Sequence, residues 1–188
     1  MELSTHDKKE LLRIARESID AALKGKSTLS VQAKSETLNQ LCGAFVTLHL
    51  LGELRGCIGY IEPRFSLLET VEEVAQKAAL EDPRFPPLTG KELDQVEIEI
   101  SVLSPLKKVS DVNEIVVGTH GLVIDAGYTR GLLLPQVATE WGWGREQFLS
   151  QTCRKAGLPA DAWKQSKVTI YLFTSAVFSE AEVFGGVH

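Results

Sequence analysis

Apolar positions change period several times along the chain, and each change marks an element. Leu11, Leu12, Ala15, Ile19, Ala22 and Leu23 recur at helical spacing over residues 5–24, with Lys8, Lys9, Arg13, Arg16 and Glu17 between them and Gly25 at the end. Residues 26–40 are polar and read as a loop with a short turn. An apolar, partly β-branched run at 43–50 then meets Leu51-Gly52-Glu53-Leu54 and the stretch Arg55 to Tyr60. Gly first in a two-residue loop signals a type II′ hairpin, which places the turn at Gly52-Glu53. Leu48 then lies opposite Cys57, so Arg55 and Cys57 share a face with Val46, Leu48 and Leu50 while His49 takes the other.

Ser66-Leu67-Leu68-Glu69 is a capping box, so a helix starts at Ser66, with Leu67, Leu68, Val71, Val74, Ala75, Ala78 and Ala79 as its apolar stripe. It stops near Asp82-Pro83, and Arg84-Phe85-Pro86-Pro87 is a stiff irregular connector. Residues 95–103 alternate strictly, with Val96, Ile98, Ile100 and Val102 on one face and Glu97, Glu99 and Ser101 on the other: a half-buried strand. Strands at 121–125 and 130–134 follow, then a helix from Pro135 through Ala138 and Glu140, and another over 145–156 closed by Gly157. Residues 167–173 and 176–183 end the chain as strands or extended segments. Hairpins imply antiparallel pairing, so the predicted class is α+β, an antiparallel or mixed sheet flanked by helices.

Composition narrows the function classes. The 188 residues are 44% apolar and 24% charged, the balance of an ordinary globular protein with room for its own core. A net charge of −5 without any Lys/Arg block argues against nucleic-acid binding, which needs a basic footprint. Three cysteines (Cys42, Cys57 and Cys153) make no disulfide framework and suit a reducing compartment. The N-terminus lacks signal-peptide character and no apolar run approaches a membrane span, so the expected location is cytoplasmic, with no membrane partner. Metal-ligand spacings and phosphate-binding glycine loops are missing from the sequence, so no metal or cofactor is expected.

The chemistry concentrates at Leu54-Arg55-Gly56-Cys57-Ile58-Gly59. A guanidinium on an apolar face demands an anionic partner or ligand, and beside a thiol it lowers the thiol pKa. Gly56 and Gly59 permit close approach of a backbone or substrate. The plainer reading makes Cys57 a small buried hydrophobe and Arg55 a structural ion-pair partner. His120, beside Gly121 before a strand, is a candidate base, with Glu140 as orienter; the plainer reading is a turn histidine. Asp82 has Arg84 or Arg55 as candidate partners, and Phe85 anchors the Pro-rich segment to the core. Trp141-Gly142-Trp143 and Cys153 read as packing.

Together the hexapeptide, Asp82 to Pro87, His120-Gly121, and Leu134-Pro135 with Val137-Ala138, Glu140 and Gly142-Trp143 resemble the AMMECR family in order and spacing, from about residue 10 to residue 183. Gln136 departs from the Glu of animal members. The resemblance implies one domain over residues 5–185 with a larger and a smaller lobe around a cleft. It implies no settled biochemistry, but prokaryotic members are associated with a Memo-like protein and a radical-SAM protein, the expected partners here. Two hypotheses follow. One is thiol-dependent acyl or amide chemistry on a small molecule in the cleft, with Cys57 as nucleophile, His120 as base, Glu140 as orienter, and Arg55, Gly56, Gly59 and Arg84 binding the ligand. The other is a non-catalytic binding or regulatory module in which the hexapeptide is a folding element.

Overall fold

The computed structural model describes residues 2–26 and 35–185. In chain order the elements are α1 (Thr5–Leu23), β1 (Ala44–Leu50), β2 (Glu53–Tyr60), α2 (Leu67–Leu80), α3 (Gly90–Leu93), β3 (Val96–Leu103), β4 (Lys107–Lys108), β5 (Gly121–Asp125), β6 (Arg130–Leu133), α4 (Pro135–Glu140), α5 (Arg145–Lys155), β7 (Thr169–Phe173), β8 (Ser175–Ser179) and α6 (Glu180–Phe184). The fold is α+β, as the alternation of periods predicts. Of the polar stretch 26–40, residues 27–34 lie outside the described residues; Thr37–Asn39 forms a 3-10 turn.

The chain divides into two compact units, one of Met1–Leu103 with Ala176–His188 and one of Ser104–Ser175. The first holds an antiparallel sheet in the order β2-β1-β3-β8, with α1 and α2 against one face. Ala44, Val46 and Leu48 of β1 and Ile98 and Ile100 of β3 are fully buried in that core, beside Leu11, Leu12 and Ile19 of α1 and Leu67, Val71 and Val74 of α2. Each buried Val, Leu or Ile among them contributes ~1.5–3 kcal/mol when removed from water. The second unit has the sheet order β4-β7-β5-β6 and its own core around Leu122, Ile124, Phe148, Leu149 and Cys153.

Local chemistry sets the helix boundaries. Ser66 caps α2 as its sequence predicts: its hydroxyl accepts the Glu69 N–H and the Glu69 carboxylate accepts the Ser66 N–H. The extended reading of 176–183 is corrected over its second half. Ser179 and Glu182 form the same reciprocal cap and start α6. At the start of the short α3 the Glu92 carboxylate accepts both the Thr89 N–H and the Thr89 hydroxyl at 2.8 Å, while the Glu92 N–H donates to the Thr89 carbonyl.

The hairpin register differs from the sequence reading, and two local events explain it. Leu50 pairs with Glu53, so the loop is Leu51-Gly52, with φ of 53° and 83°. Positive φ at both central residues makes it a type I′ turn rather than II′. Further along, His49 pairs with Leu54 but Leu48 pairs with Gly56, leaving Arg55 as the extra residue of a β-bulge. The net one-residue shift moves every residue beyond the bulge to the opposite face. Cys57 therefore lies across from Thr47, not Leu48, on the sheet face away from the helices.

Candidate functional site

On that outer face the register lines residues up in rows across three strands. Cys57, Thr47 and Glu99 form one row; Gly59, Phe45 and Ser101 precede it; Leu54, His49 and Glu97 follow it. His49 thus shares the face of Cys57, against the sequence reading. It makes no hydrogen bond or ion pair among the described residues. The Cys57 sulfur is half-buried and accepts a hydrogen bond from the Thr47 hydroxyl at 3.3 Å.

Each residue of the hexapeptide has a defined task. Leu54 is exposed. Arg55 is 9% exposed; its Nε donates to the Glu92 carboxylate at 3.0 Å, Nη1 to the Pro86 carbonyl at 2.9 Å, and Nη2 more weakly to Pro87 and Glu92, both at 3.4 Å. That guanidinium fastens the Pro86-Pro87 segment and α3 to the hairpin. Arg55 beside it, followed by the Thr89 cap, holds the Glu92 carboxyl down at about 2. Gly56 faces α2 so closely that a Cβ would stand 2.2 Å from the Ala78 carbonyl oxygen. Ile58 packs on the core, and Gly59 lies beneath the Phe45 ring, where a Cβ would meet ring carbons at 2.3 Å.

β2 is an edge strand, and the residues after α2 complete its edge at Cys57. The Asp82 carboxylate, 4% exposed, accepts the Cys57 N–H at 2.8 Å. Asp82 also accepts from the Arg84 side chain at 2.7 and 3.0 Å, and Arg84 Nη2 donates to the Cys57 carbonyl at 3.3 Å. The acid and the base together supply the acceptor and donor that a neighbouring strand would offer. The Arg84 guanidinium, against the opposing effect of burial and with help from the two backbone N–H donors, holds the Asp82 carboxyl well below the usual carboxylate range. Asp82 pairs with Arg84, and Arg55 with Glu92, which settles the two alternatives left by the sequence. Phe85 lies beneath both cations, its ring centroid 6.0 Å from the Arg55 guanidinium carbon and 5.5 Å from that of Arg84.

Burial pushes the Cys57 thiol up; Thr47 and Arg84 pull it partly back, and the Asp82 and Glu99 carboxylates push further upward. The thiolate is the disfavoured form. The adjacent Arg55, the extra residue of the bulge, points its guanidinium to Glu92.

The other predicted site residues belong to the second unit. The imidazole Nδ1 of His120 accepts the Val116 N–H at 3.1 Å within its own turn. Glu140 ends α4, is exposed, and makes no hydrogen bond or ion pair among the described residues. Cys42 is buried and its thiol donates to the Leu103 carbonyl at 3.0 Å, while Cys153 is wholly buried. No cluster of His, Cys, Asp and Glu among the described residues is arranged to hold a metal ion, and no described helix is long and apolar enough to cross a membrane. A cavity of about 510 Å³ in the first unit is lined in part by Arg16, Asp20, Lys26, Leu93 and Asp94.

The sequence model of the AMMECR1 family matches residues 12–178. The chain belongs to the AMMECR1 family. A protein of Methanothermobacter thermautotrophicus is 43% identical over 185 residues, spanning 95% of this chain and 96% of the relative. Protein MJ0810 of Methanocaldococcus jannaschii is 45% identical over 184 residues, spanning 94% and 91%. The crystal structure of the uncharacterized protein PH0010 from Pyrococcus horikoshii superposes with a TM-score of 0.86 at 39% identity, covering 95% of this chain and 94% of that one. The AMMECR1 hexapeptide is thus, in this chain, a bulge, a latch and two points of close backbone approach.

Proposed function

We propose that this AMMECR1 chain is a cytoplasmic, non-catalytic binding module, working beside a Memo-like or radical-SAM protein, with the outer face around Cys57 as its recognition surface. The observation that carries this reading is the bond from the Cys57 N–H to Asp82 at 2.8 Å. In acyl transfer by a thiol, backbone N–H groups near the nucleophile stabilise the oxyanion. Here that N–H is already donating, and its acceptor is a carboxylate that repels a second negative charge. Arg55, the sequence's candidate anion binder, is spent on Glu92 and two carbonyls. The thiol is held in its neutral form. What remains on the outer face is a rigid mixed surface of sulfur, hydroxyl, carboxylate and aromatic groups, supported from behind by a packed core.

The test compares wild type with Cys57→Ser in hydrolysis of activated thioesters and esters, alongside calorimetric titration with a purified Memo-like protein. The module reading expects no Cys57-dependent turnover and an affinity for the partner that Cys57→Ser leaves within a few-fold. Turnover that is saturable and abolished by Cys57→Ser overturns it.

A further inference from the structure

Trp141 is the most conspicuous feature of the second unit that the Cys57 site does not use. The residue is 70% exposed, yet its ring is held. Its ring stacks on Trp143 at 6.0 Å between centroids and 16° between planes, and Trp143 packs against the second core. The backbone between them is also fixed. The Trp141 N–H donates to Val137, the Gly142 N–H to Thr139 and the Trp143 N–H to Ala138, with Gly142 at φ 63° making the turn. An indole presented in one orientation has already lost the rotamer freedom that binding would otherwise remove.

The unpartnered charges nearest it in sequence are of one sign. Glu140 precedes Trp141, Glu146 lies in the first turn of α5, and both are exposed with no hydrogen bond or ion pair among the described residues. The nearest cation in sequence, Arg145, is committed to the Ile115 carbonyl at 3.0 Å and the Asn113 side chain at 2.8 Å. Lys164 lies over Trp163 instead. An exposed π face with unpaired carboxylates one and five residues away in sequence suits a planar cation, and arginine matches both parts by stacking on the ring and donating to the acids. A second copy of the chain would bring the same two acids to the contact, and like charges disfavour that pairing.

We infer that the Trp141 face, with Glu140 and Glu146, is a docking surface for an arginine-bearing extended segment of a partner protein. The inference rests on the binding-module reading and gives it a partner-facing surface. It stands on residues of the other unit, so its failure leaves the Cys57 evidence untouched.

The probe is an acetylated, amidated Gly-Arg-Pro-Arg-Gly peptide titrated into the full chain by calorimetry, with indole fluorescence as second readout. The expected result is saturable binding that weakens with salt, drops ~5-fold or more in Trp141→Ala, and is largely kept in Trp141→Phe. The double variant Glu140→Gln/Glu146→Gln weakens it as well, and it is absent for the peptide with glutamates in place of arginines. Circular dichroism and unfolding midpoints check that each variant folds, and the glutamine pair tests the surface without touching the rings. Absence of saturable binding overturns the inference, as does binding indifferent to both Trp141→Ala and the glutamine pair. Self-association lost in Trp141→Ala, or preferential binding of a neutral oligosaccharide, also overturns it by assigning the face to another occupant.

Discussion

Asp82 accepts the backbone N–H of Cys57 at 2.8 Å, and its ion-pair partner Arg84 reaches the carbonyl of the same residue at 3.3 Å. The N–H and the C=O of a single edge-strand residue are thereby closed off by one acid and one base. The two partners are not equal in weight, because the Asp82 side chain is 2% exposed and that of Arg84 is 54%. Asp82→Asn should lower stability by ~1.5–3 kcal/mol, the range for hydrogen bonds to a charged group. Arg84→Ala should cost less, because the exposed guanidinium is screened by solvent and the Asp82 carboxylate keeps its two backbone N–H donors, those of residues 57 and 84. Urea unfolding of both variants checks the ranking, and equal losses would contradict it.

The Arg55–Glu92 pair predicts a pH dependence. Glu92 titrates at about 2 in the folded chain, against ~4.3 for a free glutamate. A depressed carboxyl pKa contributes stability that is fully present above the unfolded value and lost as pH falls through the folded one. The melting temperature should therefore fall between about pH 5 and 2. Glu92→Gln should start lower at pH 7 and fall less over the same window. A Glu92→Gln melting curve parallel to wild type at all pH values would remove the pair from the account.

Gly56 predicts a steric effect without any change of charge. A Cβ there stands 2.2 Å from the backbone oxygen of Ala78, which cannot rotate away. Gly56→Ala should destabilise by ~3 kcal/mol, the upper end of overpacking costs, or prevent folding. Gly90→Ala is the control: nothing lies within 4 Å of its Cβ position and it opens α3, so its unfolding midpoint should match or exceed wild type.

The hairpin turn offers a gain. Leu51 is the one non-glycine residue with positive φ among the described residues, at 53°, and it is 85% exposed. A leucine in that conformation costs ~1 kcal/mol, and its removal loses almost no packing. Leu51→Asn gives the turn its preferred Asn-Gly sequence and should raise stability by ~1 kcal/mol in chemical denaturation.

These residues also show where sequence reading stops. The α2 start at Ser66 and the alternation of β3 were legible because capping and burial are local and periodic. The hairpin register was not. Leucine seldom takes positive φ, so the glycine rule placed the turn one residue late, and nothing in Leu54-Arg55-Gly56 announces a bulge. That single step carried Cys57 and His49 to the wrong relative faces. The role of Arg55 was legible only in outline: a buried guanidinium needs an acid, but Glu92 lies on a four-residue helix too short to show a period, and Thr89-x-x-Glu92 is its one local signal. Asp82 was legible only as an acid with Arg84 or Arg55 for a partner, and its hold on the Cys57 N–H depends on a contact across 25 residues of sequence. Trp141 read as packing because stacking and exposure are properties of the folded chain.

If Cys57 is a neutral, structurally placed thiol, its alkylation rate as a function of pH must show it. Cys42 and Cys153 are buried, so mass spectrometry of iodoacetamide-treated native protein can follow Cys57 by its own peptide. The predicted result is slower modification than free cysteine at pH 7, with a rate still climbing tenfold per pH unit through the ordinary thiol range of ~8.5 and no plateau there. A rate above that of free cysteine, levelling off below about pH 7.5, would show an activated thiolate and contradict the account.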